Sequence, residues 1–165
     1  YKRQPNGFRD EEYLEPKRVL EEGGIETKTA SFGTDRATGA GGTEVAVDLN
    51  VADIDPAEFD AIVIVGGPGM AEFLEDENLH NLVKAFAKME KIVSAICISP
   101  SVLANAGILK EKKATAYPSE KENLIQKGAV WTGKDVEQDG NIITASGPAA
   151  ATKFGETILQ ALAKK

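Results

Sequence analysis

The chain has 165 residues, with 19 basic and 26 acidic side chains and a net charge of −7. The charges are spread along the sequence, which disfavours phosphate-backbone binding, so we expect no nucleic-acid partner. No apolar run approaches the roughly 18 residues that cross a bilayer, and no signal-peptide pattern opens the sequence. The single cysteine, Cys97, excludes an internal disulfide framework. We therefore expect one soluble, cytoplasmic domain over residues 1–165, with no membrane partner.

The first part of the chain predicts one helix followed by extended segments. A polar, turn-like start at 1–7 leads into a helix predicted over 10–22 and closed by Gly23 and Gly24. Three acidic residues occupy the first turn of this helix, where negative charge suits the helix dipole. The next predicted elements are a strand at 25–32, a glycine-rich loop at 34–43, a strand at 44–48, and one helical turn at 55–59 with Asp55 as its cap.

From residue 61 onwards strands alternate with helices, which is typical of a mostly parallel sheet covered on both faces. The run 61–65 is apolar throughout, as expected for a strand buried on both faces, and it leads into Gly66-Gly67-Pro68-Gly69. The remaining predicted elements are a helix at 78–89, a strand at 92–96, a helix ending at Gly107, a strand at 114–116, a helix at 119–127, a strand at 129–132, a hairpin of 136–137 and 142–144 around Asp139-Gly140, and a helix at 149–163.

The helix predicted at 10–22 has no strand before it, although a doubly wound α/β unit normally begins with one. We therefore expect a core strand to lie upstream of the 165 residues. If the polypeptide instead begins at Tyr1, the sheet lacks one strand and should be less stable.

Residues 91–109 organise the rest of the chain. An apolar run stops at Cys97, and a segment rich in Ala, Leu and Val follows it. A strand, a sharp turn and a helix with the thiol at the turn match the plan of a nucleophile elbow, in which the amide of the next residue, Ile98, helps to hold an oxyanion. The helix N-terminus should also lower the pKa of the cysteine. The alternative is a free cysteine buried as inert core.

Three segments should meet at the carboxyl ends of the parallel strands, where ligands of such folds collect. They carry Glu12, the pair Gly66 and Gly67, and Cys97. With the N–H of Ile98, that of Gly67 would complete an oxyanion hole of two donors. The alternatives are a tight turn for the glycines and a solvated acid for Glu12. No Gly-Lys-Ser/Thr follows the glycines, which excludes a phosphate loop.

A carboxylate beside a thiol has two opposite effects. Ionised Glu12 repels a thiolate and raises the pKa of Cys97, whereas protonated Glu12 donates a hydrogen bond to the thiolate and stabilises it. The second arrangement would leave a poised, oxidisable sulfur.

At these residues the sequence resembles the ThiJ/PfpI superfamily, which includes the Parkinson-disease-associated deglycase and archaeal intracellular proteases. The resemblance rests on the segments FRDEEYLEP, VIVGGPG, AICISPSVLANAGIL, ATAYPSEKENLIQKGAVW and VEQDGNIITASGPAAA, in this order. It implies a flavodoxin-like three-layer α/β sandwich with a first strand ahead of Gly7, and a homo-oligomer, dimer or larger. It also implies an elbow cysteine at Cys97, a partner glutamate at Glu12, and oxyanion amides at Gly67 and Ile98. We expect Gly66, Tyr117 and Pro148 to contact the substrate, and we expect no metal or cofactor.

The sequence departs from the family pattern at two positions. Proteases of the family carry a histidine directly after the cysteine, where this chain has Ile98, and the deglycase branch has one where this chain has Tyr117. The one histidine, His80, is predicted on the outer face of an amphipathic helix, where a solvated role is the ordinary one. Unless a neighbouring subunit supplies a base, these differences argue against an intracellular peptidase.

Three functions remain open. In the first, Cys97 attacks a small reactive carbonyl, such as a 2-oxoaldehyde or its adduct on a damaged protein, while Glu12 shuttles the proton. In the second, Cys97 is oxidised to a sulfinic acid in a redox-sensing, stress-protective protein. In the third, the site has lost its chemistry and the chain is a scaffold for binding or assembly.

Overall fold

The computed structural model describes residues 6–165, so most of the turn-like start predicted at 1–7 lies outside the described residues. The helices are α1 (Asp10–Glu22), α2 (Glu77–Lys88), α3 (Pro100–Asn105), α4 (Lys121–Gln126) and α5 (Ala151–Ala163). The strands are β1 (Ala30–Ser31), β2 (Arg36–Thr38), β3 (Glu44–Ala46), β4 (Leu49–Asn50), β5 (Ala61–Ile64), β6 (Ile92–Ile96), β7 (Lys113–Ala114), β8 (Val130–Trp131), β9 (Val136–Asp139) and β10 (Ile142–Ala145). Within the described range, no helix is long and apolar enough to cross a membrane.

The central sheet has the strand order β5-β6-β10-β9. Strands β5 and β10 both pair with β6 in parallel, and β9 closes the sheet as the antiparallel partner of β10. Helices cover both faces, because one apolar cluster contains residues of α2, α3 and α4 and a second contains residues of α1 and α5. The fold is therefore the predicted α/β sandwich with a mostly parallel sheet.

The strand β6 lies at the centre because its residues tolerate burial on both faces. All five of its residues are fully buried. The one polar side chain among them, Ser94, donates its hydroxyl to the carbonyl oxygen of Ile62 on β5 at 2.8 Å, so its burial leaves no unpaired donor. This rigid strand carries Cys97 directly at its carboxyl end.

Several predicted elements are confirmed within a few residues: the helix at 10–22, the capped turn at 55–59, the helices at 78–89 and 149–163, and the 136–144 hairpin. The side chain of Asp55 accepts the N–H of Ala57, as expected for its cap. The hairpin turns at Gly140, whose φ of 61° needs a residue that tolerates the left-handed region.

The segment 25–50 departs most from the sequence-based prediction. The strand at 25–32 shrinks to β1, and the predicted loop at 34–43 contains β2, which pairs antiparallel with β3. The hairpin tip is held by a contact that is distant in sequence: the Asp10 carboxylate accepts the N–H groups of Gly41 and Thr43, at 2.6 and 2.9 Å. Such a contact leaves no trace in a local pattern.

The predictions at 61–65 and after Cys97 are also corrected. Strand β5 was expected to be buried on both faces, but Ala61, Ile62 and Val63 are only half-buried. They stay partly exposed because, among residues 6–165, β5 pairs with β6 alone and is an edge strand. After Cys97, helix α3 has six residues and ends at Asn105, and turns continue the chain from there.

Helices α1 and α5 pack closely at Gly155. A Cβ at this position would lie 2.8 Å from the Cα of Pro16 and 3.2 Å from the Cβ of Val19. We predict that Gly155→Val lowers the free energy of unfolding by about 2–3 kcal/mol, because the helices must separate to admit the side chain. Urea denaturation measures this, with Glu156→Val on the exposed face of α5 as the matched control. Equal effects of the two substitutions would contradict the close approach.

Candidate active site

Cys97 occupies a sharp, strained turn at the end of β6. Its φ of 65° lies in the left-handed region, which residues with a side chain rarely adopt. Two backbone hydrogen bonds hold the turn: the N–H of Cys97 donates to the carbonyl of Ala145 at 3.0 Å, and its carbonyl accepts the N–H of Tyr117 at 2.8 Å. The side chain is half-buried, so the thiol is not sealed in the core.

Glu12 projects from the first turn of α1 and is completely buried, so the alternative of a solvated acid is wrong. Its Oε1 accepts the N–H of Gly66 at 3.1 Å. Its Oε2 is buried without a hydrogen-bond partner among the residues that the structure describes. A buried carboxyl oxygen without a partner is costly, which makes this atom a natural contact for a proton or a ligand.

The two reactive groups shift each other's protonation. Burial raises the pKa of Glu12 to about 7, despite the opposing effects of Cys97 and of the Gly66 N–H. Burial also raises the pKa of Cys97 to about 11, and the negative charge of Glu12 adds to the rise. The thiol lies close enough to influence the carboxyl, although no hydrogen bond of ordinary geometry joins them. At neutral pH the site therefore holds a neutral thiol beside a carboxyl whose pKa lies near that pH.

The expected lowering of the cysteine pKa by a helix N-terminus is thus wrong. Helix α3 has only six residues and begins at Pro100, three positions beyond the thiol. The burial of the thiol outweighs what this short dipole can contribute.

The amides of Gly67 and Ile98 lie close enough to the sulfur of Cys97 that both lower its pKa. The geometry also explains the glycine pair. A Cβ on Gly66 would lie 2.6 Å from both the Cys97 Cβ and the Glu12 Oε1, and one on Gly67 would lie 2.4 Å from the Gly7 carbonyl oxygen. Gly67 additionally has a φ of 114°. The two glycines therefore make a tight turn and also admit the thiol and carboxyl next to the backbone.

Tyr117 and Pro148 lie on neighbouring segments beside the elbow. Tyr117 is 47% exposed, while its backbone N–H binds the Cys97 carbonyl. Its ring packs over Gly147, because a Cβ on that glycine would lie 3.6 Å from the ring. Pro148 follows Gly147 and begins the turn that leads into α5. The exposed aromatic ring thus belongs to a residue whose backbone is bonded to the elbow turn.

His80 is not a solvated residue on an open face. It is half-buried on α2, and its Nε2 lies 2.8 Å from the carbonyl oxygen of Leu74, which occupies one ring nitrogen. No other side chain of the chain is a histidine. Among residues 6–165 there is also no cluster of three or more His, Cys, Asp or Glu side chains that could hold a metal ion.

The sequence-based prediction assigned no role to the two serines that follow the elbow, Ser99 and Ser101. Ser99 is fully buried and donates its hydroxyl to the carbonyl of Val65 at 2.6 Å, which ties the elbow turn to the end of β5. Ser101 donates to Glu120 at 2.8 Å and accepts from Asn123 at 3.0 Å, which joins α3 to α4. Their position in an otherwise apolar segment could have indicated these contacts, because a buried hydroxyl needs a hydrogen-bond partner.

A sequence model of the DJ-1/PfpI family matches residues 4–161. Protein MJ0967 of Methanocaldococcus jannaschii is 44% identical over 163 residues, which cover 97% of this chain and 80% of that protein. Deglycase PH1704 of Pyrococcus horikoshii is 35% identical over 144 residues, which cover 87% of each chain. The match to the family model extends over both the elbow and the segment of Glu12.

The fold has a close counterpart among solved structures. The ThiJ/PfpI domain protein from Brachyspira murdochii superimposes with a TM-score of 0.96 at 33% identity, covering 98% of this chain and 93% of that one. Drosophila melanogaster DJ-1beta superimposes with a TM-score of 0.87 at 28% identity, covering 97% and 88%. These similarities confirm the predicted flavodoxin-like architecture.

The raised pKa of Glu12 predicts a pH-dependent stability. Its ordinary value is 4.5 and its value in the folded protein is about 7, so between these pH values the folded state holds a proton that the unfolded state has lost. Stability should therefore fall as pH rises from about 4.5 to about 7 and then level off. Thermal unfolding at stepped pH measures the slope. Glu12→Gln should flatten it, whereas Glu11→Gln, at an exposed neighbour, should not. A slope that is unchanged in Glu12→Gln would contradict the buried, proton-binding carboxyl.

Proposed function

The chain belongs to the DJ-1/PfpI family, and from this premise we propose that it is a cysteine-dependent enzyme acting on small reactive carbonyl compounds. One observation carries the proposal: the buried carboxyl of Glu12 and the amides of Gly67 and Ile98 all lie close enough to the Cys97 sulfur to shift its pKa. These are a nucleophile, a proton acceptor and two oxyanion donors, the parts that carbonyl addition requires.

The proposed substrate is a 2-oxoaldehyde or its adduct with a protein amine. A related protein of the family carries the name deglycase. Aldehydes of this type are strong electrophiles, so they react without the strongly activated nucleophile that a peptide bond needs. The exposed ring of Tyr117, with Gly66 and Pro148 nearby, would contact the substrate.

In the proposed first step the Cys97 sulfur forms a bond to the aldehyde carbon, and the carbonyl π electrons move to the oxygen. The N–H groups of Gly67 and Ile98 stabilise that oxygen. Because the thiol has a pKa of about 11, its proton must leave as the bond forms. Ionised Glu12 accepts this proton and then delivers it to the oxygen, which gives a neutral hemithioacetal.

Turnover of a 2-oxoaldehyde then requires a proton shift and one water. Glu12 removes the proton from the former aldehyde carbon and returns it to the neighbouring carbon, while the hydroxyl proton passes to the oxygen of that neighbouring carbon, which converts the hemithioacetal into a thioester. Hydrolysis by water frees Cys97 and releases a 2-hydroxy acid. The net reaction converts one 2-oxoaldehyde and one water into one 2-hydroxy acid and needs no external oxidant or reductant.

Peptide cleavage is less well supported. Ile98 and Tyr117 stand where the proteases and deglycases of the family were expected to place histidine, and His80 is engaged with the Leu74 carbonyl. Cleavage of an amide needs an acid that protonates the leaving amine. Among residues 6–165, Glu12 is the acid that lies beside the thiol, so without a histidine it would have to fill this role as well as accept the thiol proton. The dimeric or larger assembly and the cytoplasmic location stay predictions.

The proposal predicts a specific pattern in methylglyoxal turnover. Cys97→Ser should abolish turnover, and Glu12→Gln should lower kcat by about 100-fold or more, because the proton acceptor is lost. In the wild type, kcat/KM should rise as pH passes through about 7, where Glu12 ionises. Steady-state kinetics between pH 5.5 and 9 measure both effects. Turnover that persists in Cys97→Ser would refute the proposal.

The same Glu12→Gln variant separates proton transfer from thiol activation. Because the charge of Glu12 raises the pKa of Cys97, its removal should shift the midpoint of Cys97 alkylation to lower pH. The variant should therefore have a more acidic thiol and slower turnover. Faster turnover in step with the lower thiol pKa would show that Glu12 is no proton shuttle.

A second candidate function is oxidation of Cys97, and the unpartnered Oε2 of Glu12 favours it. Protonated Oε2 could donate a hydrogen bond to an oxygen of a sulfinate, while the Gly67 and Ile98 amides bind the other. The raised thiol pKa opposes this function, since the thiolate is the species that reacts with peroxide.

Intact-mass measurement after mild peroxide tests the second candidate. Oxidation to the sulfinic acid adds two oxygen atoms to Cys97, and the rate should increase at pH values that favour thiolate. Cys97→Ser serves as the control for oxidation of the two methionines. If no two-oxygen adduct forms on Cys97, the oxidation function fails. If methylglyoxal turnover is absent as well, the non-catalytic scaffold remains.

A further inference from the structure

The first turn of α1 carries two carboxyl groups in opposite surroundings. Glu12 is completely buried, and burial raises its pKa to about 7. Asp10 is half-buried, and hydrogen bonds from the Thr43 side chain and from the N–H groups of Gly41 and Thr43 hold its pKa below the ordinary value of 3.8. Asp10 is therefore ionised over the whole pH range in which Glu12 gains and loses its proton.

The Asp10 carboxylate fills a space at the tip of the β2–β3 hairpin. Its Oδ2 accepts the N–H of Gly41 at 2.6 Å, and its Oδ1 accepts that of Thr43 at 2.9 Å. Gly39 and Gly41 leave room for it, because a Cβ on Gly39 would lie 2.4 Å from Oδ1 and one on Gly41 would lie 2.8 Å from Oδ2. The hairpin tip is thus shaped around one carboxylate, which it binds through backbone donors.

Backbone hydrogen bonds continue this contact along the segment that leads into α1. The Gly7 N–H donates to the carbonyl of Thr38 at 2.7 Å, and the Phe8 carbonyl accepts the N–H of Ala40 at 2.8 Å. The hairpin and the start of α1 are therefore joined at residues 7, 8 and 10 in succession.

The same segment is bonded on its other side to the loop after β5. The Arg9 N–H donates to the Gly66 carbonyl at 2.9 Å, and the Gly66 N–H donates to Oε1 of Glu12 at 3.1 Å. The other carboxyl oxygen of Glu12 has no hydrogen-bond partner among residues 6–165. The place of this carboxyl therefore depends on where the first turn of α1 is held.

We propose that Asp10 is a positioning residue, whose carboxylate anchors the first turn of α1 to the hairpin and thereby holds the Glu12 carboxyl against the Gly66 amide and the Cys97 thiol. Because Asp10 stays ionised, the anchor does not release when Glu12 titrates. The effect of Asp10 on turnover rests on the function proposed above, in which Glu12 moves the proton. Its effect on the surroundings of Glu12 does not rest on that function.

Loosening the anchor should admit water to Glu12. Burial is the largest cause of the raised pKa of Glu12, so partial hydration should return this pKa towards 4.5. The titratable or charged groups that act on Glu12 are Cys97 at the elbow and Arg9 and Glu11 on its own segment. On the hairpin, Arg36 and Glu44 pair with each other at 3.0 Å. Because removal of a charge can itself shift a pKa, the test needs a variant that loosens the anchor and keeps every charge.

Gly41→Ala is that variant. Its Cβ displaces the Asp10 carboxylate, and alanine meets no left-handed backbone at this position. We expect Gly41→Ala and Asp10→Ala each to lower the pH midpoint of Glu12 by about one unit, which is tenfold weaker proton binding. The midpoint is measured by ¹³C NMR of the glutamate carboxyls, with the Glu12 signal assigned by its loss in Glu12→Gln. Ala40→Ser, at the exposed tip of the same hairpin, should leave the midpoint at about 7.

Methylglyoxal kinetics give the second measurement. In Gly41→Ala and Asp10→Ala, kcat should fall by about tenfold with little change in KM, because the proton acceptor is misplaced while the substrate still binds. The midpoint of kcat/KM should move to lower pH together with the NMR midpoint. Ala40→Ser should have the kcat and the pH profile of the wild type.

A double substitution ties both variants to the same contact. In the Asp10→Ala background, Gly41→Ala should cause no further shift, because the carboxylate that it displaces is absent. Additive shifts would overturn the proposal, since Gly41→Ala would then act elsewhere.

The two proposals fail in different ways. An unchanged NMR midpoint of Glu12 in both folded single variants would overturn the role of Asp10, whatever happens to kcat. A lower kcat without a shift in midpoint would also overturn it, because the effect would then be a general loss of structure. If the midpoint shifts but the wild type does not turn over methylglyoxal, Asp10 does position Glu12 and the proposed enzymatic function fails.

Discussion

The site depends on the burial of one carboxyl group. Glu12 has no exposed surface, and the hydrogen bond that its carboxyl accepts from the Gly66 N–H joins the first turn of α1 to the loop after β5, next to the elbow of β6. Three segments that are remote in sequence are therefore held together around one titratable group. The protein tolerates this arrangement because Gly66 has no side chain. The carboxyl of Glu12 and the side chain of Cys97 can therefore both pack against the Gly66 backbone, where a Cβ would clash with them.

The same burial decides the chemistry. Burial raises the pKa of Glu12 to about 7 and that of Cys97 to about 11. At neutral pH the thiol of Cys97 is therefore protonated, and the site contains no free thiolate. In the proposed mechanism, a nucleophile in this state loses its proton during attack, which suits reactive electrophiles. The amides of Gly67 and Ile98 contribute in the opposite direction, because they stabilise negative charge on the sulfur or on an oxygen bound to it. In the proposed reaction, burial provides selectivity for reactive electrophiles, and the amides stabilise the developing charge.

Rigidity around the site comes from contacts on every side of the elbow. Backbone bonds to Ala145 and Tyr117 hold Cys97 at its positive φ, and Ser99 anchors the turn to Val65. Glu12 is held from the other side, because the segment before α1 bonds to the loop after β5: the Arg9 N–H donates to the Gly66 carbonyl, and the Gly7 carbonyl accepts the Gly69 N–H.

Local patterns in the amino-acid sequence were sufficient for the class of fold, for the elbow at Cys97 and for the helices with strong caps or periodicity. These features arise from neighbours within a few residues, as with the Asp55 cap and the apolar run that becomes β6. Local patterns failed where partners are distant: the hairpin held by Asp10, the short α3, and the buried hydroxyls of Ser99 and Ser101. The sequence placed Glu12 near Cys97 but left its protonation open. Only the tertiary structure decided that question, because a pKa depends on how completely the surrounding chain removes water from the group.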